Sequence, residues 1–393
     1  MESTLATQSV STRQENIHKR GRVLELDAIR GLAIVGMILV VSPGSWQYRL
    51  PALDHAAWHG YTPADLVFPA FLFAVGAAMA LQFPAKRPLR QEAVRVGRRT
   101  VLLIALGIAL NLLPDFDFAH LRIPGVLQRI GLCYALAAII IWSLARFDGN
   151  TRYFPATGVV AAAVVLLISW ILVLSFTSAP GFPTGSVSEA GTLAAWIDRQ
   201  VFTTAHLWPY GTDAEGRVVY DPEGLLSTFP ATVNVLVGAV TAHWLGREPD
   251  NRRLQYGLVF GAVLVALGHL LDPVFVINKR IWTSSFALVS GGWSIFVYCA
   301  LFFVLRGKAF RALMKPVFIL GGNAILAFAI SQIFSAVAGL PIGGTTPQNF
   351  GFETLLAVAK DPWIASLLCA FGILSLVTLL IWPLHRHDIH LRL

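Results

Sequence analysis

Two histidines and two carboxylates lie in a short polar segment that precedes a hydrophobic stretch. The imidazoles of His55 and His59 change charge near neutral pH, so either could accept or pass a proton. Asp54 and Asp65 could orient such a ring and fix its tautomer, which is the usual support for a general base. The histidines could equally be interfacial residues of an aromatic belt, and Asp65 could be a helix N-terminal carboxylate after Thr62-Pro63.

The composition of the chain predicts that this segment belongs to a membrane protein. Of its 393 residues, 55% are hydrophobic and only 13% are charged, whereas soluble proteins carry about 25% charged residues. The net charge of +8 comes from basic residues in short loops between apolar runs, which indicates membrane topology rather than nucleic-acid binding. Cys133, Cys299 and Cys369 lie in apolar runs without CxxC spacing, so neither a disulfide framework nor a zinc site is expected.

A membrane-spanning helix needs about 20 apolar residues, and ten segments approach this length. They are residues 26–41, 65–81, 99–113, 124–144, 156–176, 223–245, 254–271, 281–305, 316–337 and 363–384. We therefore predict an all-α polytopic transmembrane helix bundle of about 10 spans. One membrane domain, residues 23–385, is expected between a polar N-terminal tail (1–22) and a short C-terminal tail (386–393).

Basic residues concentrate in the even-numbered connections between these spans and in both tails. Those of the connections are Lys86, Arg87, Arg90, Arg95, Arg98, Arg99, Arg146, Arg152, Arg247, Arg252, Arg253, Arg306, Lys308, Arg311 and Lys315. The positive-inside rule then places both termini in the cytoplasm. The His55 segment and two long connections, residues 177–222 and 339–362, fall on the opposite side, where long ordered loops often form binding surfaces.

Other polar residues lie near the ends of predicted spans, where charge is costly and often functional. Asp27 and Arg30 share one helix face and form either a structural ion pair or an anion contact for a cytoplasmic cofactor. Gln128 and Arg129 lie within the fourth span, where an arginine must face protein or a wet cavity. Glu223 opens the sixth span and is explained equally well as a helix-start carboxylate.

Asn278 and Lys279 precede the eighth span on the non-cytoplasmic side, close to Trp282. Cationic residues are rare on this side of membrane proteins according to the positive-inside rule. The presence of Lys279 there therefore favours a contact with a substrate or with a partner carboxylate. The tail His385–His390 has metal-like spacing, but its terminal position indicates a basic cytoplasmic anchor.

Several separated blocks of sequence carry a resemblance to a known family. They are Leu26–Gly31, Pro43–Trp46, His55–Pro69, Arg122–Arg129, Asp221–Leu226 and Asn278–Trp282. In these blocks the chain resembles the heparan-α-glucosaminide N-acetyltransferase family of polytopic membrane acyltransferases, in its bacterial branch. It departs from the family at Val41-Ser42, where many relatives carry two asparagines.

The resemblance implies transfer of an acetyl group from cytoplasmic acetyl-CoA, without a metal, to the amine of a glucosamine-type sugar across the bacterial cytoplasmic membrane. The family's catalytic histidine precedes a Trp and a Gly, which corresponds to His55, as a general base or a transient acyl acceptor. Asp65 and Asp54 would support it. The resemblance also allows a homodimer in the lipid bilayer.

We further assign two sets of contacts on this basis. Cofactor contacts are expected from Arg30, Asp27, Arg129 and Gln128. Acceptor contacts are expected from Trp58, Glu223, Asn278, Lys279 and Trp282.

Two other functions are compatible with buried charge in a membrane bundle. One is a proton-coupled transporter of a sugar or small metabolite, although no inverted repeat is visible in the sequence. The other is a sugar-binding membrane protein without catalysis, which the Val41-Ser42 departure leaves open.

Overall fold

A helix forms within each of the ten segments predicted to span the membrane. The computed structural model describes residues 24–83, 89–148 and 151–389. Their helices are α1 (Leu24–Val41), α2 (Pro63–Gln82), α3 (Leu89–Leu112), α4 (Val126–Ser143), α5 (Ala156–Phe176), α6 (Leu193–Phe202), α7 (Thr228–Leu245), α8 (Asp250–Leu271), α9 (Ser284–Val304), α10 (Lys308–Leu313), α11 (Lys315–Gly322), α12 (Ala324–Ala338), α13 (Pro347–Ala359) and α14 (Pro362–Arg386). The predicted helical class is confirmed, with one addition. A short antiparallel hairpin, β1 (Arg146–Asp148) with β2 (Thr151–Tyr153), joins α4 to α5.

Six helices of the described chain are long and apolar enough to cross a membrane: α2, α4, α5, α8, α9 and α14. A seventh span results if the bent pair α11 and α12 is counted as one. The predicted total of about ten spans, the cytoplasmic position of both termini and the domain boundaries stay predictions. The N-terminal tail, Lys86, Arg87 and the last residues from His390 onward lie outside the described residues.

Three predicted connections contain helix instead of loop. Helix α3 begins at Leu89, so the basic residues Arg90 to Arg99 lie on its first turns; arginine and glutamate are good helix formers, and the helix continues past its apolar part. In the connection 177–222, Thr192 caps α6 by accepting from the Ala195 N–H. In the connection 339–362, Thr346 caps α13 in the same way.

The predicted ninth span is bent by 92° between α11 and α12. The break lies at Asn323, whose backbone (φ −129°, ψ 46°) is not helical. Just before it, α11 packs directly against α1: a Cβ atom on Gly321 would lie 1.9 Å from the carbonyl oxygen of Asp27. Close packing to α1 therefore requires glycine at this position.

Helix α7 is the most enclosed element that positions the site. Nearly all of its residues are buried, including Val235, Leu236 and Ala239. Helix α2 approaches it so closely that a Cβ atom on Gly76 would lie 1.7 Å from the Val235 carbonyl oxygen. Because these helices are fixed by close packing, the loops at their ends are held in defined positions.

Candidate active site

His55 lies on the loop between α1 and α2, and its ring contacts the first turn of α2. Its Nδ1 is 2.7 Å from Oδ1 of Asp65, a side chain that is 1% exposed. The other carboxylate oxygen of Asp65 accepts from the backbone N–H groups of Ala56 (3.1 Å) and Thr62 (3.0 Å). Asp65 therefore supports the start of α2 and holds the His55 ring at the same time, so the two sequence interpretations of this residue hold together.

Asp54 acts on the backbone of the loop and not on the ring of His55. It accepts the His55 backbone N–H at 2.8 Å and forms an ion pair with Arg49, also at 2.8 Å. The contacts of Asp54 therefore fix the loop backbone. Asp65 is the carboxylate that orients the imidazole of His55.

Lys279, on the loop between α8 and α9, completes a three-residue cluster with His55 and Asp65. Its Nζ lies 3.1 Å from Oδ1 of Asp65 and 3.1 Å from Nδ1 of His55, and 3.5 Å from Nε2 of the same ring. Its side chain is only 13% exposed. The sequence separates Lys279 from His55 by more than half of the chain, and the fold brings them into contact.

The two loops are joined beside this cluster by backbone and side-chain hydrogen bonds. The Gly60 N–H donates to the Ile277 carbonyl oxygen at 2.7 Å. The Nδ2 of Asn278 lies 3.4 Å from Nδ1 of His59. Asn278 also accepts from the Ile281 N–H at 3.1 Å, so it shapes its own turn as well as bridging the loops.

The electrostatics of the cluster favour a neutral imidazole at His55. Burial lowers the pKa of His55, and the hydrogen bond to Asp65 offsets this effect while the cations of Lys279 and Arg280 add to it. Since Asp65 is held by backbone donors as a carboxylate, Nδ1–H of His55 donates to it. Nε2 is then unprotonated, with the Lys279 ammonium 3.5 Å away. Burial also lowers the pKa of Lys279, against the raising effect of Asp65 and Glu223.

Arg129 is fully buried beneath this cluster and is only partly satisfied. Its Nη2 donates to the Gly224 carbonyl oxygen at 3.0 Å and to the Ser227 hydroxyl. Its Nε and Nη1 have no hydrogen-bond partner among the described residues. A buried guanidinium with three unused N–H bonds on these two nitrogens can donate to a bound acceptor.

Trp282 is a packing residue and not an exposed binding surface. Its side chain is fully buried and its indole N–H donates to Oδ1 of Asn234 at 3.1 Å. The Arg129 guanidinium lies over its ring at 5.3 Å. Its backbone adopts a φ of 52°, a left-handed conformation that bulky residues rarely adopt without tertiary support. Trp282 therefore anchors the Lys279 loop and supports Arg129.

A second charged cluster lies on the segment that leads into α7. Arg122 donates to both oxygens of Asp221, at 2.6 and 2.8 Å, and to Glu223 at 2.5 Å. Because α7 begins at Thr228, Glu223 is not a helix-start carboxylate as the sequence suggested. The sequence did not indicate the partner Arg122, since contacts across a hundred residues leave no local signal.

Asp198, on α6, holds the same segment and was not predicted from the sequence. Its Oδ1 accepts from the Leu225 N–H at 2.9 Å, and Gly224 packs against its other oxygen. Burial raises the pKa of Asp198 to about 7, partly offset by the Leu225 hydrogen bond. The amphipathic pattern of residues 193–202 after Thr192 could have indicated a helix there.

Comparison with known proteins shows the family to which the chain belongs. Residues 22–277 match the family model for the heparan-alpha-glucosaminide N-acetyltransferase catalytic region. The chain belongs to this family. The match contains His55, Asp65, Arg129 and Glu223, and it ends one residue before Asn278.

Two curated relatives carry the family's name. The human heparan-alpha-glucosaminide N-acetyltransferase is 26% identical over 360 residues, which cover 80% of this chain and 53% of the relative. The mouse protein of the same name is 26% identical over 352 residues, with 78% and 53% covered. The chain thus spans about half the length of the curated relatives it matches.

The remaining assigned residues lie around the acetyltransferase-family site or at a distance from it. Trp58 donates its indole N–H to the Val187 carbonyl oxygen at 2.9 Å, and its ring packs edge-on against Tyr220 at 5.0 Å. It therefore joins the His55 loop to the long 177–222 connection. Gln128 donates to the Ile123 carbonyl oxygen at 3.0 Å and fixes the turn before α4.

Asp27 and Arg30 lie at the opposite end of α1 from the His55 loop. They form an ion pair of 2.5 Å, as one of the two sequence interpretations predicts. The 11 residues from Arg30 to Val41 separate them from the loop by about 16 Å along the helix. Ser42, at the family's asparagine position, is buried, and its hydroxyl lies 3.3 Å from that of Ser335 on α12.

Proposed function

We propose that this chain is a transmembrane N-acetyltransferase that moves an acetyl group from acetyl-CoA to the amine of a glucosamine-type sugar. Membership of the family supports the reaction class. The observation that carries the proposal is the cluster of His55, Asp65 and Lys279, with one carboxylate and one cation on the same imidazole. A neutral, oriented imidazole next to a cation suits acyl transfer from a thioester.

In the proposed reaction, Nε2 of His55 takes a proton from the acceptor amine as its nitrogen attacks the thioester carbonyl carbon. The C–N bond forms and the C–S bond breaks. The departing CoA thiolate then takes the proton from His55. Asp65 keeps Nδ1 protonated and stabilises the imidazolium that forms between these steps. A histidine that is neutral at pH 7 is required for this role, and burial beside Lys279 provides it.

The tetrahedral intermediate carries negative charge on the former carbonyl oxygen, and Lys279 is our first candidate to stabilise it. Its ammonium lies within 3.5 Å of both ring nitrogens of His55. It can therefore donate to the carbonyl oxygen of a thioester that is attacked next to this ring. Removing one such donor typically lowers the rate by roughly 10²–10³-fold. Arg129, with two nitrogens that have no hydrogen-bond partner among the described residues, is the second candidate. Asn278 is the weaker one, because its amide already contacts His59.

The Asp27 and Arg30 end of α1 is the proposed contact for the phosphates of acetyl-CoA. It lies about 16 Å from the His55 loop along the helix axis, and a hydrocarbon core is about 30 Å thick. A pantetheine arm extending along α1 would bring the thioester to His55 from the cytoplasmic side. With the positive-inside orientation, the acceptor sugar then approaches from the periplasm, beside Trp58 and Glu223.

The direct test uses purified protein, labelled acetyl-CoA and a panel of hexosamines. We expect labelled N-acetylated product with the wild type, and none above background with His55→Ala. His120→Ala is the matched control, because His120 pairs with Asp117 on another loop, and it should retain activity. Movement of intact sugar into proteoliposomes without acetylation would support the transporter instead. Parallel double-reciprocal plots with a trapped acetyl-His55 would show that His55 carries the acetyl group itself.

A further inference from the structure

A cavity outside the active site opens on the outer surface of the bundle between α7 and α8. Its volume is about 440 Å³, within the range of about 300–1,000 Å³ that is typical of small-molecule sites. The walls are mainly apolar and include Leu245, Val259, Phe260 and Val263. Val259 is 58% exposed. Since α8 is a candidate span, this apolar opening faces the bilayer.

The cavity lies away from the active site along α8. It is lined by the middle of α8, from Tyr256 to Val263, and by the last turns of α7 with the two residues Arg247 and Glu248 after it. Helix α8 ends at Leu271, so even Val263 lies about 12 Å along the helix axis from the loop that carries Lys279. A ligand here would not contact the proposed catalytic residues.

The rim of the cavity has the residues of a membrane–water interface. Trp244 and Tyr256 are exposed at the cavity, and Arg247 and Glu248 lie beside them. Tryptophan and tyrosine are enriched where lipid headgroups meet the hydrocarbon core. The backbone N–H of Arg247 donates to the Trp244 carbonyl oxygen at 3.1 Å. Its guanidinium makes no hydrogen bond or ion pair with the described residues, so the side-chain charge is available to an anion.

The charge around the rim is positive despite two carboxylates. Arg247 lines the cavity and Arg253 and Arg306 lie near it, against Glu248 and Asp250. Arg306 pairs with Asp250 at 3.2 Å, and Arg253 donates to the Leu245 carbonyl oxygen at 2.7 Å. In addition, Thr241 on the α7 wall has a buried hydroxyl without a partner in the described part of the chain; a lipid ester carbonyl is an acceptor that could satisfy it.

We propose that this cavity binds an anionic glycerophospholipid, with one acyl chain between α7 and α8 and the phosphate near Arg247. Apolar walls, a lateral opening to the bilayer and a positive rim match the two ends of such a molecule. Juxtamembrane cations add about fivefold to anionic-lipid affinity per residue. The lipid would stabilise the packing of α8 against α7.

The test measures the thermal unfolding midpoint of the full chain in detergent as lipid is added. Dioleoyl phosphatidylglycerol should raise the midpoint at lower concentration than dioleoyl phosphatidylcholine. Arg247→Gln should weaken the apparent affinity for phosphatidylglycerol about fivefold and remove most of the headgroup preference. Val259→Trp, which fills the cavity, should lose the stabilisation by both lipids.

The matched control is Val165→Trp on α5, a position that is 61% exposed and does not line the cavity; it should respond as the wild type does. Wild-type stabilisation by phosphatidylglycerol in Val259→Trp would overturn the proposal. So would a loss of acetyl-CoA binding in Val259→Trp with the lipid response intact, since the cavity would then belong to the cofactor. Conversion of a dimer to a monomer by Val259→Trp would also overturn it, because the face would be a subunit interface.

Discussion

Replacing Lys279 with methionine removes the cation that lies 3.1 Å from Nδ1 of His55 and keeps a side chain of similar length. The positive charge of Lys279 disfavours the protonated imidazole, so its loss should raise the pKa of His55. Because the proposed reaction needs neutral His55, the acidic limb of kcat/KM against pH should move to higher pH.

The size of this shift follows from the distance. Two unit charges 3.1 Å apart repel each other by about 1.3 kcal/mol in bulk water and by about 5 kcal/mol at an effective dielectric constant of about 20. His55 is partly exposed, with 27% of its side chain accessible, so the value in water is the safe lower bound. It corresponds to about one pH unit. Asp65 also loses its cationic partner, and its freed negative charge shifts the pKa in the same direction.

Initial rates with labelled acetyl-CoA and a soluble hexosamine, measured from about pH 5 to pH 9, would show the shift. Lys279→Arg is the control, because it keeps the charge and should leave the limb near its wild-type position. A drop of roughly 10²–10³-fold on the high-pH plateau of Lys279→Met would in addition identify Lys279 as the oxyanion donor. If the limb of Lys279→Met stays within about 0.3 pH units of wild type, His55 is not the titrating base.

Three further predictions address other parts of the structure. Asp65→Asn should lower kcat by roughly 10²–10⁴-fold, because its amide would donate to Nδ1 of His55 and leave Nε2 protonated; activity within a few-fold of wild type would refute the orienting role. Asp198 keeps its proton in the folded protein up to about pH 7, while the unfolded chain releases it near its ordinary value of 3.8. Wild-type stability relative to Asp198→Asn should therefore fall by about 3 kcal/mol between about pH 5 and pH 8, and thermal unfolding of both proteins with an unchanged difference would argue against it. Gly321→Ala should destabilise the protein by about 1–3 kcal/mol, because its Cβ would lie 1.9 Å from the Asp27 carbonyl oxygen. Gly372→Ala is the control and should be tolerated, because a Cβ there meets nothing within 4 Å. Equal thermal unfolding midpoints of the two variants would contradict the packing argument.

Local sequence patterns predicted the helices well and their breaks poorly. Apolar runs placed the second, fifth and tenth predicted spans within two residues of α2, α5 and α14 at both ends, because lipid imposes a strong and simple pattern on composition. The bend at Asn323 was not predicted, since it depends on contact between Gly321 and α1. No property of residues 316–337 alone specifies the neighbouring helix.

In the candidate site, too, local contacts were predicted from the sequence and long-range contacts were missed. His55 and Asp65 were predicted together, because ten residues of loop and helix start connect them and their chemistry is complementary. Asp65 also serves α2, which the sequence presented as an alternative. Lys279 was assigned to substrate, and its contact with the imidazole needed the folded structure. Asp198 and the pairing of Arg122 with Asp221 were missed because both depend on long-range contacts.

The joining of the 55–62 and 276–283 loops has a consequence for the biosynthesis of the protein. His55 is translated early, but the ammonium group of Lys279 beside it emerges only after more than two hundred further residues have left the ribosome. Until α8 and α9 have entered the bilayer, the Gly60–Ile277 hydrogen bond cannot form. A nascent chain therefore carries His55 without the cation that lies beside it in the folded protein.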